Sequence, residues 1–136
     1  MQTLLLYGVT AAVFLGLDML GLRFLIRPVF ERHVGHLLAE PLRLGPAAGF
    51  YAAYVVGVLV FVSLPALREG SAVQALLMGA LLGLMCYGTY EMTNLATLAD
   101  WSWEQVIADC LWGAALTGVS AWAGVAAVTA LWPKGA

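Results

Sequence analysis

Residues 72–97 read AVQALLMGALLGLMCYGTYEMTNLAT. From Ala72 to Met85 the only polar side chain is Gln74. From Tyr87 to Thr97 the polar groups crowd in: Tyr87, Thr89, Tyr90, Glu91, Thr93, Asn94 and Thr97. An apolar run of about 20 residues suits a helix crossing a hydrocarbon core roughly 30 Å thick. The stretch therefore predicts a transmembrane helix, the third of the chain, from about Ala72 to Leu95. Glu91 stands inside it. A carboxylate in hydrocarbon costs roughly 2.5–3.5 kcal/mol on insertion scales unless it is paired or wet. Folding alone gives no reason for it, so Glu91 marks a site of action.

The rest of the chain has the same character. It is 62% hydrophobic and 10% charged, with mean hydropathy +0.90. Soluble domains are about 45–50% apolar and about 25% charged, so the composition is that of an integral membrane protein. The net charge of −2 suggests neither nucleic acid nor a polybasic membrane-surface role. No internal repeat, low-complexity segment or linker breaks residues 1–136, which read as one domain of four spans.

Working outward from the third span, Gly79 and Gly83 form a Gly-x-x-x-Gly pattern that permits close helix packing. Leu98–Trp103 is the following turn. Ser102 there is a helix N-cap, with Gln105 completing a capping box. A fourth span runs from Trp103 to about Leu131, and Trp132-Pro133-Lys134 follows it at an interface. Ala114, Gly118, Ala121, Gly124 and Ala127 give this helix a small-residue face. Upstream, Pro65–Ser71 reads as a tight turn that makes the second and third spans antiparallel neighbours. The second span runs from about Ala47 to Leu64 and opens on Phe50, Tyr51 and Tyr54, as an interfacial aromatic belt does. The first span is Thr3–Ile26. It lacks the basic start and cleavage site of a signal peptide and reads as retained. Pro28–Glu40 follows as a short amphipathic helix in the interface. The fold expected is an all-α bundle of four transmembrane helices. Arg27, Arg32 and Arg43 put the first connection in the cytoplasm by the positive-inside rule.

Comparing depths brings the polar residues together. Asp18 lies about 12 Å inside the first span by helix rise. Glu91 and Asp109 lie near the same end of the third and fourth spans, and Tyr51 and Tyr54 open the second there. The opposite half reads as nearly featureless. Tyr87, Glu91 and Asn94 share one stripe, as do Gln105, Asp109 and Trp112, because residues spaced i, i+4 and i+7 share a helix face. Ionisable residues in membranes face protein or a wet cavity, so both stripes are expected inward. Arg23 is the nearby base that neutralises one of the three acids in this reading. The bland alternative is a satisfied network that fixes helix register: Glu91 with Arg23, Asp109 with Asn94, and tyrosine hydroxyls closing the rest.

Other chemistries find little. His33 and His36 are an i, i+3 pair with Glu40 as a third candidate ligand, but solvated interfacial histidines read better and no metal is expected. Cys86 and Cys110 read as small buried thiols. There is no phosphate loop, nucleophile elbow or cofactor fingerprint, and no cofactor is expected.

Several pieces together resemble a known family. They are Asp18, Arg27-Pro28 before an aromatic, Tyr87–Thr97, and Asp109 with Trp112-Gly113. This set is similar to a bacterial family of small predicted inner-membrane proteins catalogued only as a domain of unknown function, the 2177 family. Members more often have aspartate where this chain has Glu91, and a tryptophan after the first acid where it reads Asp18-Met19-Leu20-Gly21. The resemblance implies four spans, a polar site and a bacterial inner-membrane location. It supplies no reaction.

The lead expectation is a pocket in one leaflet that binds a lipid-like, isoprenoid or quinone-like amphiphile. Its residues would be Asp18, Arg23, Tyr54, Tyr87, Glu91, Asn94, Asp109 and Trp112. If a reaction follows, Glu91 or Asp109 would transfer a proton; whether the protein is an enzyme is not specified by the residues. The alternatives are an accessory subunit of a larger complex and a small proton-coupled exporter. Membrane lipid is the expected partner, with a protein partner or second copy docking through the Gly79/Gly83 and Gly118/Gly124 faces.

Overall fold

Each crossing expected from hydropathy is a helix in the computed structural model, which describes residues 1–133. Lys134, set at an interface by the sequence, lies outside the described residues. Four helical runs are long and apolar enough to cross a membrane: Gln2–Leu37, Leu44–Glu69, Ala72–Thr97 and Trp103–Leu131. Among the described residues there is no strand.

The last two runs are uninterrupted helices, α5 (Ala72–Thr97) and α6 (Trp103–Leu131). Their starts follow from capping chemistry. The Ser71 hydroxyl accepts from the Gln74 N–H. Ser102 and Gln105 form the expected capping box, with the Ser102 N–H donating to Gln105 Oε1 at 2.9 Å. Each such cap satisfies amide groups that the first helical turn leaves without partners.

The first two runs each contain one π turn. Helix α1 (Gln2–Gly21) passes through a π turn at Leu22–Ile26 into α2 (Arg27–Val34). Helix α3 (Leu44–Val58) passes through a π turn at Leu59–Ser63 into α4 (Leu64–Glu69). In both, a proline stands two residues past the π turn, Pro28 and Pro65. A proline ring clashes with the carbonyl four residues earlier in a regular α-helix and lacks an N–H for it. The wider turn moves that carbonyl away, with Arg27 and Leu64 donating to Leu22 and Leu59 five residues back.

This device changes two expected boundaries. The amphipathic segment after the first span is helical, but it continues that span without a break. The combined run of 36 residues reaches about 54 Å by helix rise, well beyond a hydrocarbon core of roughly 30 Å. A 3₁₀ turn at Gly35–Leu37 ends it before Glu40. The expected tight turn from Pro65 is also helix, as far as Glu69. The reversal is confined to Gly70, at φ 69°, and Ser71, whose N–H reaches back to the Ala66 carbonyl.

Helix α6 is the centre of the bundle. It packs most closely on α5 and carries α1 on another side. Close approach uses the small residues. A side chain added at Gly79 would stand 2.9 Å from the Gly118 Cα, and Gly83 sits against the Gly113 carbonyl. Gly124 receives the Thr10 side chain of α1. The faces expected to dock a partner are thus spent inside the chain, because helices without a hydrophobic drive between them associate where backbones come closest. Leu6, Phe14, Val55, Val58, Leu116 and Val125 fill the core between α1, α3 and α6. The Leu59–Ser63 turn packs on α5 and α6, whereas α3 leans on α1 and stands apart from α5. That splay leaves a groove of about 230 Å³ between them, lined by Phe50, Ala53, Tyr54, Gly57, Phe61, Leu82 and Cys86.

Candidate functional site

Three acids from three helices are buried: Asp18 in α1, Glu91 in α5 and Asp109 in α6. Glu91 is fully buried and has Asp109 as its neighbouring carboxyl group. Asp109 in turn neighbours Asp18. Tyr51 of α3 and Trp112 of α6 are the polar neighbours of Asp18. Tyr87 lies among Asp18, Tyr51, Tyr54 and Asp109. The four spans thus meet at one polar cluster, as the two inward stripes predict.

Aromatic rings wall the cluster on the groove side. Phe14 packs on Tyr51 and Tyr54, with ring centroids 5.5 Å away in each case. Tyr54 meets Tyr87 edge-on at 6.5 Å and stacks on Phe50 at 6.0 Å. Its hydroxyl is 2.9 Å from Thr117 Oγ1. Two glycines seat the rings: Gly113 lies under Tyr87, and Gly21 under Trp112, each so close that a Cβ would collide with the ring. The Trp112-Gly113 pair of the sequence therefore has a packing reason on both members.

Trp101 closes the other side. From the turn between α5 and α6 its Nε1 donates to Glu91 Oε1 at 3.1 Å. Its ring meets Phe30 of α2 at 5.3 Å and Tyr90 at 5.9 Å, both edge-on. Ion pairs hold α2 to the same region. Arg32 Nη2 is 2.6 Å from Glu104 Oε1, and His33 Nε2 is 3.2 Å from that oxygen. His36 Nε2 is 2.9 Å from Asp100 Oδ2. The histidines are thus engaged by carboxylates across the turn, while Glu40 lies beyond the helix that would have aligned it with them. Among the described residues no group of three metal-ligating side chains converges.

Glu91 Oε1 accepts from Trp101, and the Glu91 carboxyl lies within hydrogen-bonding reach of the Asp109 carboxyl. Trp112 Nε1 faces the Asp18 carboxyl, whereas Gln105 Nε2 and the Thr10, Ser63 and Ser120 hydroxyls are buried without a partner. Buried polar atoms are nearly always paired, so each of these needs a reason.

Of the predicted site residues, Asp18, Tyr54, Tyr87, Glu91, Asp109 and Trp112 come together. Asn94 is half-buried at the margin, where it meets the Tyr90 hydroxyl. Arg23 is corrected outright. It is exposed, with its guanidinium over the Phe24 ring at 5.4 Å, and neutralises none of the acids. It stands five residues after Asp18, about 140° around a helix, and so presents another face. Among the described residues no arginine, lysine or histidine is buried. The opposite half of the bundle is less featureless than expected: Thr10, Ser63 and Ser120 are fully buried. Their types are easy to pass over, because a hydroxyl in an apolar run hardly lowers its hydropathy.

Sequence reasoning missed Trp101 and Tyr51 as site residues. Trp101 reads as an interfacial aromatic in a turn, and no periodicity connects a turn residue to a helix face. Tyr51 could have been found from its spacing: it precedes Tyr54 by three residues and so shares its face.

No curated protein and no solved structure matches this chain. A family model does match, over residues 3–126, described as a predicted membrane protein of the DUF2177 family. Nearly the whole bundle falls within that match, every acid and ring of the cluster included, and the chain belongs to this family of membrane proteins.

Proposed function

We propose that the protein binds a membrane-dwelling amphiphile, with the ligand's polar head at Glu91, Asp109 and Asp18 and its apolar body in the groove between α3 and α5. The observation that carries this reading is the burial of three acids from three helices, with no buried base among the described residues, in a cluster whose ring wall also lines a groove at the bundle surface. Ligand sites in helical membrane proteins combine an apolar body with a few convergent polar groups, and intramembrane acids mark such sites by default. The residues suggest recognition; a proton step, if the ligand is also transformed, falls to Glu91 or Asp109. The setting we propose is the bacterial inner membrane; the four spans and a family described as predicted membrane proteins support a membrane location. A subunit role gains nothing from the small-residue faces, since α5, α6 and α1 consume them.

The groove is tested by placing a photo-crosslinking benzophenone side chain at Ala53, inside it, and at Leu111, on the outer face of α6. The expected result is one discrete adduct at position 53 and a spread of bulk-lipid adducts at position 111. The same spread at both positions would contradict a ligand groove.

A further inference from the structure

The first helical run is longer than a hydrocarbon core is thick, so α2 projects past the membrane at the end of the bundle where the acids lie. It is a separable piece of that run. It follows the Leu22–Ile26 π turn and carries Pro28, and long helices bend at such places. Of its eight residues only Val29 and Val34 are buried. The rest of its hold on the bundle is electrostatic and aromatic. Arg32 and His33 share Glu104, His36 pairs with Asp100, and the Phe30 ring meets that of Trp101. The paired side chains are exposed: 60% and 52% for Arg32 and Glu104, and 58% for both His36 and Asp100. Pairs of this kind hold weakly and are screened by salt. Beneath α2 is Trp101, set edge-on between Phe30 and Tyr90 with its Nε1 on Glu91 Oε1 at 3.1 Å. Trp101 is half-buried, whereas Glu91 behind it has no exposed surface. The indole thus covers Glu91, and α2 holds the indole in place.

We propose that α2 is a strap that pivots on the Leu22–Ile26 π turn, and that its release frees Trp101 and admits water to the Glu91–Asp109 carboxyl pair. The structure is the closed state. Weak latches suit this role, because exposed ion pairs leave an open state populated and let ionic strength shift its share. The Arg27–Glu31 pair lies within α2 and moves with it, so it latches nothing. The strap works without a ligand, so its failure and that of the amphiphile pocket are separate results.

The test reads water's access to Glu91 as a rate. The full chain in phosphatidylcholine nanodiscs is treated with a water-soluble carbodiimide and taurine, which turn a carboxyl group reached from water into an amide. Peptide mass spectrometry then gives amidation at Glu91 relative to exposed Glu40 in the same sample. In the wild type Glu91 should react far more slowly than Glu40. Glu104→Gln combined with Asp100→Asn removes all three cross-turn pairs and should raise the Glu91 rate about tenfold. Wild type in about 1 M sodium chloride should move the same way, and decides the point if the double variant fails to fold. His36→Cys with Asp100→Cys loses one latch, and joining the two cysteines with a short bismaleimide should return Glu91 to the wild-type rate. A wild-type Glu91 as reactive as Glu40 would overturn the closed lid. A Glu91 rate unchanged by both the double variant and high salt would overturn the latch. A fast rate that the cross-link does not slow would place the opening elsewhere than α2 and overturn the strap.

Discussion

Glu91 and Trp101 are held by one hydrogen bond, and the partition of roles between them is open to measurement. Trp101→Phe keeps a ring against Phe30 and Tyr90 and deletes the N–H that serves Glu91 Oε1. Leaving a buried acceptor unpaired costs about 1–3 kcal/mol. Thermal unfolding in detergent should therefore show a lower midpoint for Trp101→Phe, and an unchanged midpoint would show that the bond is not needed. Gly113→Ala should act on the site through Tyr87, whose ring occupies the space of the added methyl group. Its expected effect is loss of ligand retention together with reduced stability, and wild-type behaviour in both would refute the seating role. At this scale the sequence was partly legible. Helical spacing placed Tyr87, Glu91, Asp109 and Trp112 correctly, because a rigid helix converts spacing into direction. It also contained the correction to Arg23, since five residues carry a side chain to another face. Trp101 was not legible, because its direction is set by tertiary contacts of a turn.

Among the elements, α5 and α6 decide whether the bundle forms. A Cβ at Gly118 would lie 2.8 Å from the Leu76 carbonyl oxygen, a backbone atom that cannot step aside alone. Gly118→Leu should therefore separate α5 from α6 and cost about 1–3 kcal/mol or more by overpacking. The expected outcome is a protein that unfolds earlier as a monomer. If it unfolds like the wild type but loses a bound partner protein, the face is external after all. Hydropathy located all four spans, and the Ser102–Gln105 pair announced the start of α6. The π turns were not anticipated, although both follow one local pattern: Leu22-x-Phe24-x-x-x-Pro28 and Leu59-x-Phe61-x-x-x-Pro65. A proline inside an apolar run was read as an end or a restart, since regular α geometry cannot hold it. The membrane-spanning helices absorb it by widening one turn instead. That is why α2 continues the first span and carries Phe30, Arg32 and His33 up against the α5–α6 turn.

For the whole molecule, the proposed function assigns the acids and the groove to the two ends of one ligand, and each end needs its own test. Filling the groove at Gly57, with Gly57→Leu, should abolish ligand retention without lowering stability, because the side chain would project into space that is already empty. Retained ligand would move the apolar body elsewhere. The site as a whole was visible in the sequence as an agreement of depth between Asp18, Glu91 and Asp109. The groove was not, because it comes from the splay of α3 away from α5, and no single helix encodes it. The most direct measurement of the central claim is native mass spectrometry of the protein extracted gently from its own membranes. Wild type should carry one apolar molecule of discrete mass, lost from both Glu91→Gln and Asp109→Asn while each still folds. A wild-type protein with no such molecule, or equal retention by folded Glu91→Gln and Asp109→Asn, would contradict the claim that these acids hold a ligand.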